Sequence, residues 1–393
     1  MATLKYGQSK FKRSNFLTWF FIFSVVFSDV LGNGNLNLLY FFGAFLMIYE
    51  FKMKIEFLRD ISILFIPFCL MVLGEILFSN NEFSPLKVII YTIKILVCIS
   101  LFSYTKNQFW NVDHLKIIDY LCCIFGFILI VSLFTIRLPI FWRLNDSYNS
   151  FSKTRLKFLY SEPSVLGILC GLLLVILMYY FLNKKNAVLK EIFLLSLIVL
   201  LTFSMSGIVY TTVAVIALFF FQIFKNTHRI PWRLLLFLIF GISIFVIVLT
   251  TNNPISRRFF SMFLGLDGSY NFRWTAAIST FRKTMEITKN WGMGLGNMNT
   301  PAGLSLLLSL GIDYKFANSF LYFFTENGFL GILFVLYLFL VCVYKCIKSS
   351  RNVRSLKVGL LVFAFVSQIA GGYFTDPLLW ITYGIICSKE SQE

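Results

Sequence analysis

Charged side chains are scarce in this sequence: Asp, Glu, Lys and Arg together make up 13% of its 393 residues. A soluble domain carries about 25%, so the chain has too few charges to cover a globule of this size in water. Hydrophobic residues supply 58%, including 48 Phe, and the charges fall in short clusters between long apolar runs. Hydrocarbon requires segments of about 20 apolar residues whose backbone hydrogen bonds close internally. The pattern therefore excludes a soluble protein and predicts membrane-spanning helices.

Residues for metal, nucleotide or disulfide chemistry are also few. The two histidines, His114 and His228, fall on the predicted cytoplasmic side, and no His or Cys cluster with ligand spacing occurs in the predicted external loops. We therefore expect no metal site there and no structural disulfide. The run Gly292-x-Gly294-x-Gly296 is not followed by Gly-Lys-Ser/Thr, so it is not a P-loop. It predicts either a tight turn that permits close backbone approach or a phosphate-binding nest.

The apolar runs predict an all-α fold, with one polytopic transmembrane domain over residues 1–393 and about twelve spans. Lys and Arg concentrate on alternate connections, which places both termini in the cytoplasm, with the Met1 end as a tail before an uncleaved first helix. This bias accounts for the net charge of +17 without nucleic acid, which we do not expect as a partner. The predicted spans are Leu17–Leu31, Leu36–Phe51, Ile61–Phe78, Val88–Phe102, Ile117–Ile136, Val165–Leu182, Ile192–Met205, Ile208–Phe224, Leu234–Leu249, Phe329–Tyr344, Val358–Ala370 and Leu378–Cys387.

Two connections on the predicted external side are long, residues 137–163 and residues 250–316. Long loops in a compact protein are usually functional, and both are net positive on the side where positive charge is disfavoured. An anionic ligand would account for this, because a guanidinium group clamps phosphate oxygens through two parallel hydrogen bonds. The alternative is a solvated loop against anionic lipid headgroups. The arginines considered for substrate binding are Arg155, Arg257, Arg258, Arg273 and Arg282.

An amphipathic helix is predicted over Thr275–Lys289, within the second long connection. Ile278, Phe281 and Met285 form an apolar stripe at helical spacing, which suits a helix that rests on the membrane surface or caps the bundle. Arg273 would stand at its start, where a cation is electrostatically unfavourable. We therefore predict either a role for Arg273 outside the helix or simple packing.

Three polar residues at the predicted external mouths of spans are further candidates. Glu162 precedes Pro163 at the start of a span. Its carboxylate either stabilises the helix N-terminus, acts as a base on a sugar hydroxyl or orients an arginine. Asn318 and Glu326 lie just before a later span, where polar groups are costly and often functional; a capping role at a helix start is the alternative.

The chain resembles the superfamily of O-antigen polymerases and O-antigen ligases in four features, and the diagnostic part of this resemblance covers residues 155–344. They are the many spans with one dominant late external loop, Arg155 ahead of Ser161-Glu162-Pro163-Ser164, Arg273 followed by Trp291-Gly292-Met293-Gly294-Leu295-Gly296, and Asn318 with Gly328 and Gly331.

The polymerase branch moves a growing glycan from its lipid carrier onto the nonreducing-end sugar of the next lipid-linked unit. The resemblance therefore implies an undecaprenyl-diphosphate-linked oligosaccharide as substrate, action at the outer face of the bacterial inner membrane and contact with membrane lipid. It also implies a chain-length regulator as partner protein and no cofactor. On this basis the catalytic candidates are Glu162 and Arg273, the diphosphate-binding candidates are Arg155, Arg282, Arg257 and Arg258, and the further candidates are Asn318 and Glu326.

Two other functions stay open as alternatives. In the ligase branch a His precedes the Asn, Ser or Gln that is followed, after nine residues, by Gly-x-x-Gly. Asn318, Gly328 and Gly331 fit this pattern, but Ala317 stands at the His position, so the resemblance favours a polymerase over an O-antigen ligase. A flippase for the same lipid-linked oligosaccharide would carry charge deep within its spans and show repeated halves, whereas this chain concentrates charge in two loops.

Overall fold

The computed structural model describes residues 16–30, 37–51, 55–78, 84–136, 138–143, 154–183, 186–225, 272–309, 311 and 318–389, with short pieces between residues 250 and 268. Within these ranges the chain is almost wholly helical. Seven of the described helices are long and apolar enough to cross a membrane, and three more are shorter apolar helices. The predicted all-α polytopic membrane fold is confirmed. The total of about twelve spans stays a prediction, because Leu234–Leu249 lies outside the described residues.

The helices of the first part of the chain follow the predicted spans. A two-residue antiparallel pair, β1 (Trp142–Arg143) with β2 (Arg155–Leu156), lies within the first long connection. The helices are α1 (Phe16–Val26), α2 (Leu38–Phe51), α3 (Ile55–Phe78), α4 (Pro85–Gln108), α5 (His114–Phe134), α6 (Pro163–Leu182), α7 (Leu189–Leu201) and α8 (Met205–Lys225).

The break between α7 and α8 lies earlier than the sequence predicts. The predicted spans Ile192–Met205 and Ile208–Phe224 divide at Ser206-Gly207, but the turn occupies residues 202–204, and Ser206 and Gly207 belong to the first turn of α8. Phe203 makes the turn with a positive φ of 46°. This conformation is uncommon for a bulky residue, so a turn at Phe203 could not be predicted from its residue type.

The second part of the chain contains α9 (Ala277–Ile287), α10 (Pro301–Ser309), α11 (Ser319–Ile347), α12 (Arg351–Ala370) and α13 (Pro377–Cys387). Two predicted starts in this part are wrong: α11 begins ten residues before the predicted Phe329–Tyr344, and α12 begins seven residues before Val358. In the first part, α3 likewise begins six residues before Ile61 and α4 ends six residues after Phe102. Hydropathy misses the first ten residues of α11 because polar side chains interrupt the apolar run there. They are nevertheless buried in the structure, Glu326 to 1% exposure, so protein rather than lipid surrounds them.

Helix α6 lies at the centre of the bundle, and most of its residues are buried. It packs against α7, α8 and α12, while α13 packs against α4, and α3 against both α4 and α11. Gly167 of α6 and Gly207 of α8 meet at a close crossing: a Cβ placed on Gly207 would lie 2.9 Å from the Gly167 carbonyl carbon. Small residues permit such close helix approach in membranes.

The described parts of both long connections contact one end of the bundle, which we call the loop end. The backbone N–H of Ser84, at the start of α4, donates to Asn297 in the second connection (3.3 Å). Arg155 in the first connection donates from Nε to the carbonyl of Thr202, just after α7 (3.0 Å). The loop end therefore carries Arg155 and the glycine run, two of the features that the sequence singles out.

Candidate active site

Arg273 lies in a π-helical turn, Phe272–Ala276, that leads directly into α9. The predicted helix Thr275–Lys289 is thus shorter, and Arg273 stands before its regular part. A Cβ placed on Gly371 would lie 3.3 Å from Nη1 of Arg273 and 3.6 Å from the hydroxyl oxygen of Tyr210. The guanidinium group therefore sits between the start of α8 and the turn that follows α12. Short π-helical turns are frequent at functional sites.

Asn318 joins three elements around Arg273. Its side-chain oxygen accepts from the backbone N–H of Leu321 (3.0 Å) and caps α11. Its side-chain amide donates to the carbonyl of Arg273 (3.3 Å) and to the carbonyl of Ile369 near the end of α12. Asn318 is 1% exposed. The capping alternative is therefore what the structure shows, and the same side chain also fixes the backbone that carries Arg273.

Substitution of Asn318 can separate these two roles. Asn318→Ser keeps a hydroxyl oxygen for the cap but loses the amide that donates to Arg273 and Ile369. We expect this variant to stay folded and to lose most of its activity, whereas Asn318→Ala should also lose about 1–2 kcal/mol of stability with the cap. Thermal unfolding in detergent and turnover rates measure the two effects. Full activity of the Ser variant would show that the amide does not position Arg273.

The glycine run packs against a break in α11. Gly328 has φ 56° and ψ −146°, which interrupts the helix. The N–H of Gly294 donates to the carbonyl of Glu326 (2.7 Å), and the N–H of Phe329 donates to the carbonyl of Asn290 (2.9 Å). A broken helix is tolerated at membrane depth where protein satisfies its backbone groups. The run is thus the tight turn that the sequence predicts.

Glu326 faces this run from the broken helix. Its carboxyl group points towards the backbone amides of Gly296 and Met298 and towards the hydroxyl of Tyr322, with Glu75 of α3 as its acidic neighbour. The geometry places Glu326 where it holds the glycine run in position. A direct catalytic role for it stays a prediction.

Glu162 forms an ion pair with Arg143, and both side chains are partly exposed. It precedes α6 without capping it through its side chain. The neighbouring Ser161 donates from its hydroxyl to Asp29, after α1 (2.7 Å). Of the roles considered for Glu162, this geometry favours orienting an arginine, and the partner is Arg143.

A small cavity with several polar residues in its wall adjoins Arg273. The cavity volume is about 30 Å³, and Gly371, which separates it from the Arg273 guanidinium, belongs to its wall. The other polar or exposed residues of the wall include Ser367, Gln368, Tyr373, Asp376 and Thr382.

A second cavity, of about 130 Å³, has an almost wholly apolar lining. It is lined by α1, α4, α5, α6 and α13 and reaches Gln108 and His114, at the opposite end from the loop end. No Lys or Arg lines it. An anionic group requires cationic partners, and Arg273 lies just across Gly371 from the first cavity, so we take that cavity as the candidate site.

Comparison with protein families decides the class of the protein. Residues 118–389 match the family described as WcaD colanic acid polymerase. The chain belongs to this family. The matched region runs from α5 to α13 and contains the whole of the candidate site. No curated protein matches the chain significantly.

Membership in the WcaD family identifies the chain as a polysaccharide repeat-unit polymerase embedded in a membrane. The predicted resemblance to O-antigen polymerases is confirmed at this level. As a polymerase of this kind it is a glycosyltransferase-type enzyme.

The structure does not gather the other predicted arginines around Arg273. Arg282 is exposed on α9, and Arg257 is exposed within the second connection. Arg155 is bound through Nε to Thr202. Arg258 and Ala317 lie outside the described residues. Diphosphate binding by Arg155, Arg257, Arg258 and Arg282 stays a prediction, and the structure brings Arg273 and Asn318 together.

Two residues of the cavity escaped the sequence analysis. Gln368 lies in an apolar helix without any motif around it. Asp376 directly precedes Pro377 at the start of the last span, the same arrangement as Glu162 before Pro163. That repeated acidic–Pro pair at a span mouth was the signal that could have found it.

Proposed function

We propose that the protein polymerises oligosaccharide repeat units carried on undecaprenyl diphosphate, at the outer face of the bacterial inner membrane. The growing chain moves from its lipid diphosphate to the nonreducing-end sugar of the next lipid-linked unit, and undecaprenyl diphosphate leaves. One observation carries the proposal: in a chain of a polymerase family, Arg273 is positioned at the loop end beside a cavity whose wall includes Gln368 and Asp376.

Arg273 supplies what this reaction needs most. Negative charge develops on the diphosphate as its bond to the anomeric carbon breaks. A guanidinium group meets two phosphate oxygens at once, and its backbone is fixed through Asn318. A preorganised donor of this kind contributes about 3 kcal/mol to the transition state. No nucleotide is consumed, which suits a site outside the cytoplasm.

The same proposal sets the orientation. Lys106, Lys345 and Arg351 stand at the end of the bundle away from the loop end. The positive-inside rule therefore assigns that end to the cytoplasm and residues 137–163 and 250–316 to the outside. A reporter that works only in the cytoplasm should be active when fused after Lys389. A reporter that works only outside the membrane should be active when inserted into the second connection. The reverse pattern would contradict this orientation.

A clean deletion of the gene in its host tests the function. We expect lipid-anchored glycan to persist on a gel with a single repeat unit, because chain extension alone is lost. Polymer that accumulates on the carrier lipid without reaching its final acceptor would indicate the ligase instead. A chain-length regulator, the proposed partner protein, would change only the length distribution when deleted.

A further inference from the structure

Gln368 is a buried amide that lines the cavity beside Arg273. It is 2% exposed, and neither its amide nitrogen nor its carbonyl oxygen has a hydrogen-bond partner among the residues that the structure describes. Native structures rarely leave a buried donor and acceptor unsatisfied. The amide therefore indicates a ligand group that both donates and accepts a hydrogen bond.

The size of the cavity limits that group. A volume of about 30 Å³ holds one or two water-sized groups and is too small for a sugar ring. A hydroxyl or hydroxymethyl group fits, and a hydroxyl both donates and accepts. Tyr373, which is 56% exposed, stands at the rim, where the rest of a sugar would lie.

Asp376 lines the same cavity with a carboxylate. One of its oxygens accepts from the backbone N–H of Leu378 (2.9 Å) and caps α13. The side chain keeps an accessible edge, but protein atoms surround it densely, and this desolvation raises its pKa to about 6, with a further contribution from Asp29. A carboxylate with such a pKa is ionised at neutral pH and is a stronger base than an exposed one.

The turn that carries Asp376 is fixed from several sides. The hydroxyl of Tyr40 and the thiol of Cys98 both donate to the carbonyl of Thr375. The indole N–H of Trp380 donates to the carbonyl of Phe374 (2.8 Å). Such support is what a preorganised site requires.

We propose that this cavity binds the hydroxyl group of the acceptor sugar, with Gln368 as its hydrogen-bond partner and Asp376 as the base that removes its proton. The inference rests on the proposed polymerase function and names its acceptor subsite. The acceptor oxygen forms a bond to the anomeric carbon of the growing chain while the bond from that carbon to the diphosphate breaks. The proton moves to Asp376, and the charge on the departing diphosphate meets Arg273 across Gly371.

The test uses the full chain in lipid nanodiscs. The donor is a lipid-diphosphate-linked repeat unit, and the acceptor is the lipid-free repeat-unit oligosaccharide at varied concentration. Asp376→Asn should lower kcat at least about 100-fold, because Asn can still cap α13 but cannot take a proton. Asp113→Asn is the matched control: Asp113 caps α5 by accepting from Lys116 at the opposite end of the bundle, and its variant should keep the wild-type kcat.

Gln368→Ala tests the binding part of the proposal. We expect the acceptor KM to rise about tenfold, the cost of one good hydrogen bond, while kcat changes little. An unchanged KM would overturn the hydroxyl subsite, and an unchanged kcat in Asp376→Asn would overturn the base. If the wild-type protein itself transfers no glycan, the proposed polymerase function is wrong. If the wild-type protein transfers glycan and the two variants behave like it, only the acceptor subsite is wrong.

The pH dependence gives a second readout. Wild-type kcat should fall as pH drops through about 6, because protonation removes the base, and the residual activity of Asp376→Asn should lack this acidic limb. The ionisable groups facing Asp376 are Asp29 after α1, Tyr40 of α2 and Cys98 of α4. An acidic limb that persists in Asp376→Asn would assign the limb to another carboxylate, such as Asp29, and contradict the proposal.

Discussion

Replacing Arg273 with Ala should reduce glycan extension at least about 100-fold while the amount of protein in the membrane stays unchanged. The substitution removes a preorganised cation from the departing diphosphate, a loss of about 3 kcal/mol from the transition state. Surface glycan from cells that carry only this variant should show a single repeat unit on a gel. Because Arg273 is partly exposed at a turn, the fold itself should tolerate the change.

Two further substitutions serve as controls for Arg273. Arg273→Lys keeps the charge but loses the fork that meets two phosphate oxygens, so we expect an intermediate rate. Arg282→Ala removes an exposed arginine of α9 and should have a smaller effect than Arg273→Ala. Polymer of normal length from Arg273→Ala would refute the assignment of the diphosphate to this residue.

Gly328→Ala should abolish the folded protein. A Cβ at this position would lie 2.4 Å from the backbone of Asn290 and Trp291, and neither backbone can yield without breaking the bonds between the glycine run and α11. The positive φ of 56° adds strain of about 1–3 kcal/mol. We expect little monodisperse protein in detergent by fluorescence-detected size exclusion, and Gly292→Ala should behave similarly because its Cβ would lie 2.5 Å from the Glu326 carbonyl oxygen.

Gly311 provides the matched control for backbone strain alone. It also has a positive φ, 71°, but a Cβ there would meet no atom of the described structure within 4 Å. Gly311→Ala should therefore cost only about 1 kcal/mol and leave the protein monodisperse. Equal losses in Gly311→Ala and Gly328→Ala would mean that φ, and not the contact between the run and the broken helix, determines the effect.

The architecture was predictable because hydrocarbon imposes a simple rule on sequence. Apolar runs of the required length appear as helices close to their predicted positions, for example Val165–Leu182 within α6 and Ile117–Ile136 against α5. The prediction from apolar runs failed where protein, and not lipid, surrounds the helix. The polar first part of α11 is buried by the glycine run, which single-sequence hydropathy cannot anticipate.

The candidate site was only partly predictable. Arg273 stood out as a cation at a predicted helix start and Asn318 as a polar group at a span mouth, but the hydrogen bond between them joins residues 45 positions apart. Gln368 and Asp376 come together with Arg273 only through the packing of α12 and α13 at the loop end. Such proximity depends on tertiary structure and leaves no periodic pattern in the chain.

Extension of a lipid-linked unit by the purified protein tests the central claim most directly. The full chain in nanodiscs would receive only undecaprenyl-diphosphate-linked repeat units, without nucleotide or added metal. We predict a ladder of lipid-linked glycans that lengthens with time, one undecaprenyl diphosphate released per added unit, and neither product with Arg273→Ala. Intact starting material with the wild-type protein, or transfer that appears only when a different, non-carrier lipid acceptor is supplied, would contradict the account.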